Sequence, residues 1–269
     1  MKKKAGPAWW RKAIVPAVWV AAFVLIWELA AFVLTQLLPP TLAIQKLPFL
    51  HNIAVTFVSN FFSLLESGWV TLSKSFVGFG IGAAVGFLLA VLMSWSKVME
   101  KLAFPYLIIS QMIPILGLAP IVYNIVRDGD VSRILISAYI TFFPIAANTL
   151  SGLKSSGQDE RDLMFAYAAK KPTVYRKLLL PSALPHLFTG LKIAAPMSVT
   201  AAIVVELLGT SSGIGVKILY TLYYGANGAL MFWSSILMAA LLGITSYYIV
   251  FWAERLCIPW AVAARKKAG

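Results

Sequence analysis

DLMFAYAAKKPTVYRKLLLPSALP, residues Asp162–Pro185, is the one polar interval of any length that interrupts the apolar runs with both dense positive charge and helical spacing. Just upstream and within it, Asp159, Glu160 and Asp162 come early and Lys170 late, the order that suits a helix dipole. Pro172 must bend or end that helix. Thr173–Leu180 then reads as a second short helix, halted by Pro181 and Pro185. Leu163, Tyr167 and Val174 make an apolar ridge rimmed by charge, a shape that fits a groove on another protein. The competing reading is a solvated loop that only orients the chain.

Outward from this stretch the chain is oily. Of 269 residues, 60% are apolar and 12% charged, too little charge for the surface of a soluble domain, so the bilayer is the expected solvent. Apolar runs at Ile14–Leu38 and near residues 71–93, 104–126, 134–153, 187–208 and 230–252 predict six spans in an all-α, polytopic membrane protein. The first is too long for the core of a signal peptide and lacks a cleavage site, and Trp9 and Trp10 suit the interface before it. Leu47–Ser67 carries Pro48, His51, Asn52, Asn60 and Glu66 at amphipathic spacing and predicts a helix lying on the membrane. Gly78, Gly82, Gly86 and Ala90 recur every four residues along one helix face, for packing within the chain or between copies. Pro105, Pro114 and Pro120 predict a bent third span, and Gly209–Ala229 reads as a loop. The domain plan is a 1–13 N-terminal segment, one transmembrane domain over 14–256 containing the 154–185 loop, and a 257–269 tail.

The net charge of +13 does not point to nucleic acid, because the cations flank apolar runs and form no basic face. With six spans, 17 Lys and Arg fall on the side of the termini, the 94–101 turn and the 154–185 loop, against four on the other (Lys46, Arg127, Arg133, Lys217). That asymmetry predicts both termini, and the loop, in the cytosol. Cys257 stands alone, and His51 and His186 lie far apart, so neither a disulfide framework nor a metal or catalytic cluster is expected.

The same stretch resembles the cytoplasmic coupling loop of binding-protein-dependent ABC importer permeases. In that family an acid precedes two alanines, a glycine follows, and a Leu-Pro closes the segment. Here Asp162 stands for the acid, Leu163–Met164 for the alanines, Ala168 for the glycine and Leu180–Pro181 for the closing pair. WEL at Trp27–Leu29, LPFLHNI, QMIPILGLAP, FFPIAANTLSGL, PSALPHLFTGLKIA and VVELLGTSSGIG extend the likeness over most of the chain. They are similar to the subgroup that imports nitrate, taurine, alkanesulfonates, bicarbonate or pyrimidine precursors of thiamine. The resemblance implies a type I importer fold and a homodimer. It also implies two ATP-hydrolysing subunits holding ATP and Mg, and an extracytoplasmic solute-binding protein. Asp162, Leu163, Tyr167, Ala168, Ala169, Val174, Leu180 and Pro181 would carry the coupling contact. Ala168 in place of glycine disfavours a left-handed turn, so the first coupling helix is expected to run on to Pro172. No GxxxxGK[ST] phosphate loop occurs, so ATP hydrolysis, and any enzyme activity, is expected on a partner chain.

Polar residues inside the spans are few. Glu28 and Glu206 are expensive in a bilayer and read either as a gate or substrate contact or as buried hydrogen bonds. Gln111, Pro114, Asn148, Ser198 and Glu206 are the candidates for a translocation path. An ion-coupled secondary transporter is the alternative function, though it would want paired membrane acids or inverted repeats, and neither is visible. A polytopic membrane enzyme would need clustered His, Cys or acids, and a membrane scaffold would need no ATPase partner.

Overall fold

A chain in hydrocarbon must satisfy its backbone hydrogen bonds within each segment, and every regular element here is helical, with no strand among the described residues. The structure is a computed structural model that describes residues 9–261, without the side chains of 9–13, 226 and 227. Lys2, Lys3, Lys4, Arg265, Lys266 and Lys267 thus lie outside the described residues, as do the side chains of Trp9, Trp10, Arg11 and Lys12. In chain order the helices are α1 Trp9–Leu37, α2 Pro40–Lys46, α3 Leu50–Ser59, α4 Phe61–Trp95, α5 Lys97–Met112 and α6 Ile115–Val126. They continue as α7 Gly129–Lys154, α8 Gln158–Ala166, α9 Lys171–Val174, α10 Leu180–Glu206, α11 Ile214–Tyr223 and α12 Ala226–Cys257.

Five stretches are long and apolar enough to cross a bilayer, and the α5–α6 pair makes a sixth if it counts as one broken span. The axis turns by 91° between Met112 and Ile115. Of the three prolines only Pro114 opens the helix. Ile113, before it, is extended at φ −73°, ψ 119°, because the proline ring bars its neighbour from helical geometry. The surface helix expected over Leu47–Ser67 is instead divided. Its first half is α3, and its second half belongs to α4, which runs 35 residues to Trp95. Nothing between Phe61 and Trp95 is a proline, so the helix has no reason to stop. At about 52 Å it exceeds a hydrocarbon core of about 30 Å. The expected loop at 209–229 also gives way, since α11 occupies its middle.

The described chain groups into two compact units. One takes in the chain up to Leu64 together with Ile218–Ile236. There the Trp27 indole donates to the Pro48 carbonyl at 3.0 Å and meets the Trp233 ring edge-on. Glu28 accepts from the His51 backbone N–H and faces His51 Nδ1, both at 3.3 Å, so this membrane acid is held in a hydrogen-bonded corner.

The other unit takes in Leu65–Lys217 and the chain from Leu237. Its centre is α7 against α10, and small residues explain the closeness. A Cβ on Gly152 would collide with Ala183 and His186, and one on Gly190 with the Pro144 carbonyl and Asn148. The glycine stripe of α4 is used in the same way. Cβ atoms on Gly78, Gly82 and Gly86 would strike the carbonyls of Ile134, Ala138 and Phe142, spaced one turn apart on α7. The stripe therefore packs within the chain.

Candidate functional site

The loop between α7 and α10 is built from local hydrogen bonds. Lys154 at the end of α7 pairs with Glu100 at 2.5 Å. Arg161 ties α8 back to that end, donating from Nε to Ser156 Oγ at 2.8 Å and from its terminal nitrogen to the Lys154 carbonyl at 3.3 Å. Glu160 reaches back to accept from the Gly157 N–H at 3.2 Å, and Asp162 accepts from the Gln158 amide at 2.9 Å. With Asp159 and Glu160 in its first turn, α8 carries its acids where the helix dipole favours them.

The helix does not run on to Pro172. It ends at Ala166, and Ala168 takes the left-handed conformation at φ 47°. The Ala168 N–H donates to Phe165 at 2.8 Å and the Ala169 N–H to Met164 at 3.0 Å, the paired bonds of a Schellman turn. Those bonds, with Pro172 ready to start α9 as its second residue, outweigh the penalty for alanine in this conformation. The penalty is about 1–2 kcal/mol, only partly offset by glycine's greater freedom when unfolded. Ala168→Gly is therefore expected to stabilise the loop by roughly 0.5–1 kcal/mol. The readout is slower hydrogen exchange at the Ala168 and Ala169 amides. Faster exchange would mean the left-handed turn does not form.

The second short helix is not halted either. After α9 the backbone widens into a π-helical segment, Tyr175–Leu179, in which the Leu180 N–H reaches the Tyr175 carbonyl. The chain then continues as α10, with Pro181 in its first turn and Pro185 inside it. At such a change of hydrogen-bond register one N–H is unused, and proline has none to lose. The fifth span thus begins at Lys171, well before residue 187.

The resulting surface is strongly apolar. Leu163 is 55%, Tyr167 79% and Phe165 86% exposed. Asp162 and Ala168 are exposed beside them, whereas Ala169, Val174, Leu180 and Pro181 are half-buried at the base. The sequence reading named Leu163 and Tyr167, which share a face at i, i+4, and missed Phe165, three residues after Asp162. Next to α8, Lys97, Lys101, Lys154 and Arg161 line a cavity of about 460 Å³ with only Glu100 as counter-charge.

A second polar centre lies at the other end of α10. Glu206 is fully buried. Its carboxylate accepts from Thr71 Oγ1 at 2.8 Å, from the Gly215 N–H at 2.8 Å and from Arg133 at 3.1 Å. Arg133, 1% exposed, also pairs with Asp130 at 2.8 Å, and Lys74 pairs with Asp130 at 2.7 Å. Thr71 accepts in turn from the Ile214 N–H at 2.9 Å. Gly213, at φ 116°, and Gly215 bring the backbone so close that any Cβ would overlap the Glu206 side chain. The network seals the turn between α10 and α11 onto α4 and α7. Arg133, counted by sequence among the four cations on the side away from the termini, is buried in α7. The clue to its place was Asp130 one helical turn earlier.

The other path candidates are dispersed. Asn148 donates to the Pro144 carbonyl at 2.7 Å and Ser198 to the Ala195 carbonyl at 2.7 Å, both bonds within their own helices. Gln111 keeps a buried Nε2 with no partner among the described residues, three positions before the Pro114 break.

Residues 82–260 match the family described as binding-protein-dependent transport system inner membrane component. The chain is 33% identical over 195 residues to the formylaminopyrimidine transport permease protein ThiX of Halalkalibacterium halodurans, covering 71% of this chain and 75% of that one. It is 26% identical over 212 residues to the putative aliphatic sulfonates transport permease protein SsuC of Bacillus subtilis, covering 77% and 76%. The nitrate import permease protein NrtB of Synechocystis is 31% identical over 147 residues, 55% and 54% of the two chains. Among solved structures, an amino acid ABC transporter crystallised with histidines superposes with a TM-score of 0.60 at 15% identity, over 75% of this chain and 97% of that one. It shares the fold. These relatives are ABC permeases, so the ion-coupled alternative is set aside. The chain belongs to the binding-protein-dependent transport system inner membrane components, and it is the multi-pass permease subunit of a bacterial plasma-membrane ABC importer.

Proposed function

We propose that two copies of this chain form a translocation path, driven from the cytosol by two ATP-binding subunits and fed by an extracytoplasmic solute-binding protein. ATP and Mg belong to the partner ATPase. The Asp162–Pro181 segment is the contact through which nucleotide-driven motion reaches the spans. Asp162, Leu163, Phe165, Tyr167, Ala168 and Ala169 meet the ATPase, and Val174, Leu180 and Pro181 hold the base. Gln111 beside the Pro114 break is the path residue best supported, since its buried amide donor has no partner among the described residues.

The observation that carries this reading is the exposure of Leu163, Phe165 and Tyr167 around a helix pinned at both ends by its own hydrogen bonds. A solvated loop would not present three large apolar side chains to water. The cargo is a small solute of the sulfonate, taurine, nitrate or thiamine-pyrimidine type, supported by what the relatives transport.

The test is reconstitution of the permease with its ATPase and binding protein in vesicles. Uptake of a formylaminopyrimidine, an alkanesulfonate or nitrate is expected to require ATP and to survive collapse of the proton gradient. Asp162→Lys is expected to lower both uptake and coupled ATP hydrolysis with the folded permease unchanged in amount. Wild-type uptake in that variant would overturn the assignment of the loop.

A further inference from the structure

The π-helical segment leaves a groove between the end of α4 and the start of α10. On α4 the wall is Trp95, Val91 and Phe87, at four-residue steps. The facing wall is Arg176, Leu180 and Leu184, at the same spacing. Two cavities of about 440 and 290 Å³ lie along it and share Arg176 and Leu180. Charge is confined to one end, where Lys171 and Arg176 stand at the mouth of the larger cavity. Neither cation makes an ion pair among the described residues, although acids pair with Lys74, Arg133, Lys154 and Lys192 elsewhere.

From these observations we infer that the groove is a binding site for one anionic phospholipid. The phosphate sits between Lys171 and Arg176, and the acyl chains run along the two cavities. Three features of the groove favour this occupant. From Arg176 to Leu187, the deepest wall residue, the helix rises by about 16 Å, the depth of one leaflet of a core about 30 Å thick. A soluble ATPase subunit does not reach that far into a span. Trp95 and Tyr175 flank the mouth with ring centres 6.3 Å apart, as aromatic side chains do at headgroup level. An unpaired guanidinium matches a phosphate in a bidentate fork, and the anionic leaflet supplies that charge.

The site adjoins the coupling segment through Lys171, Pro172 and Tyr175, so its occupant would hold the base of the loop. The test uses the full-length permease, alone and with its ATPase, in phosphatidylcholine vesicles. These are doped with a photoactivatable phosphatidylglycerol or, in parallel, a photoactivatable phosphatidylcholine. Phosphatidylglycerol is expected to label the peptides around Phe87–Trp95 and Leu180–Leu187. Arg176→Gln should reduce that labelling about tenfold, the worth of one charge-assisted contact, and Arg176→Lys less. Leu184→Trp, which fills the deeper cavity, should reduce it with the cations intact. Soluble glycerophosphate should not compete.

Equal labelling by the two lipids would overturn the proposal, because the groove would then be ordinary lipid-facing surface. So would labelling indifferent to Arg176→Gln. Loss of labelling on addition of the ATPase, or on self-association of the permease, would assign the groove to a protein neighbour and overturn it as well.

Discussion

Glu206→Ala is expected to destabilise the permease by about 3 kcal/mol, at the lower end for breaking a buried ion pair. The variant leaves Arg133, 1% exposed, with Asp130 as its remaining acid, strips the acceptor from the Gly215 N–H, and leaves the Thr71 hydroxyl only the Ser67 carbonyl at 3.2 Å. Each buried donor left unmatched adds its own desolvation cost. The measurement is thermal unfolding of the purified protein in detergent, read beside Glu206→Gln and the double variant Arg133→Met, Glu206→Leu. The double variant should recover much of the loss, since removing both charges avoids an uncompensated one. If the alanine variant unfolds at the wild-type temperature, the network holds nothing. If the double variant is no better than the single, the cost lies in packing around Gly213 and Gly215 rather than in charge.

The second large effect concerns docking. Phe165→Ala is expected to weaken association with the ATP-binding subunit by roughly 30-fold, the consequence of losing an aromatic anchor worth about 2 kcal/mol. Phe165 is 86% exposed, so truncating it removes no packing and the permease itself should unfold as before. Stimulated ATP hydrolysis should fall in step with affinity. Val174→Ala, half-buried at the base of the loop, should alter association much less. Unchanged affinity in the Phe165 variant would mean that the partner grips a different surface, and Asp162→Lys would then test whether α8 is gripped at all.

Much of the molecule was legible in order along the chain. Apolar runs of span length can only be helices in hydrocarbon, and the glycines four apart on α4 could only face something close. Pro114 marked the break in the third span, because a proline restricts the residue before it whatever the surroundings. The 154–185 loop stood out for the same local reasons of charge order and amphipathic spacing.

Other features depended on what meets what in space. Whether Ala168 turns left-handed is a contest between an intrinsic preference and two backbone bonds plus the restart at Pro172, and the preference lost. Pro181 and Pro185 looked like stops, yet a widened turn upstream let the helix pass. Arg133 and Glu206 are 73 residues apart, and each alone reads as a stray charge. The sequence by itself determined the solvent, the helical class, the order of the spans and the identity of the family, because these follow from local hydrophobicity and backbone chemistry. Only the tertiary structure decided which charges are paired and how the loop turns, because those choices are settled by contacts between residues far apart in the chain.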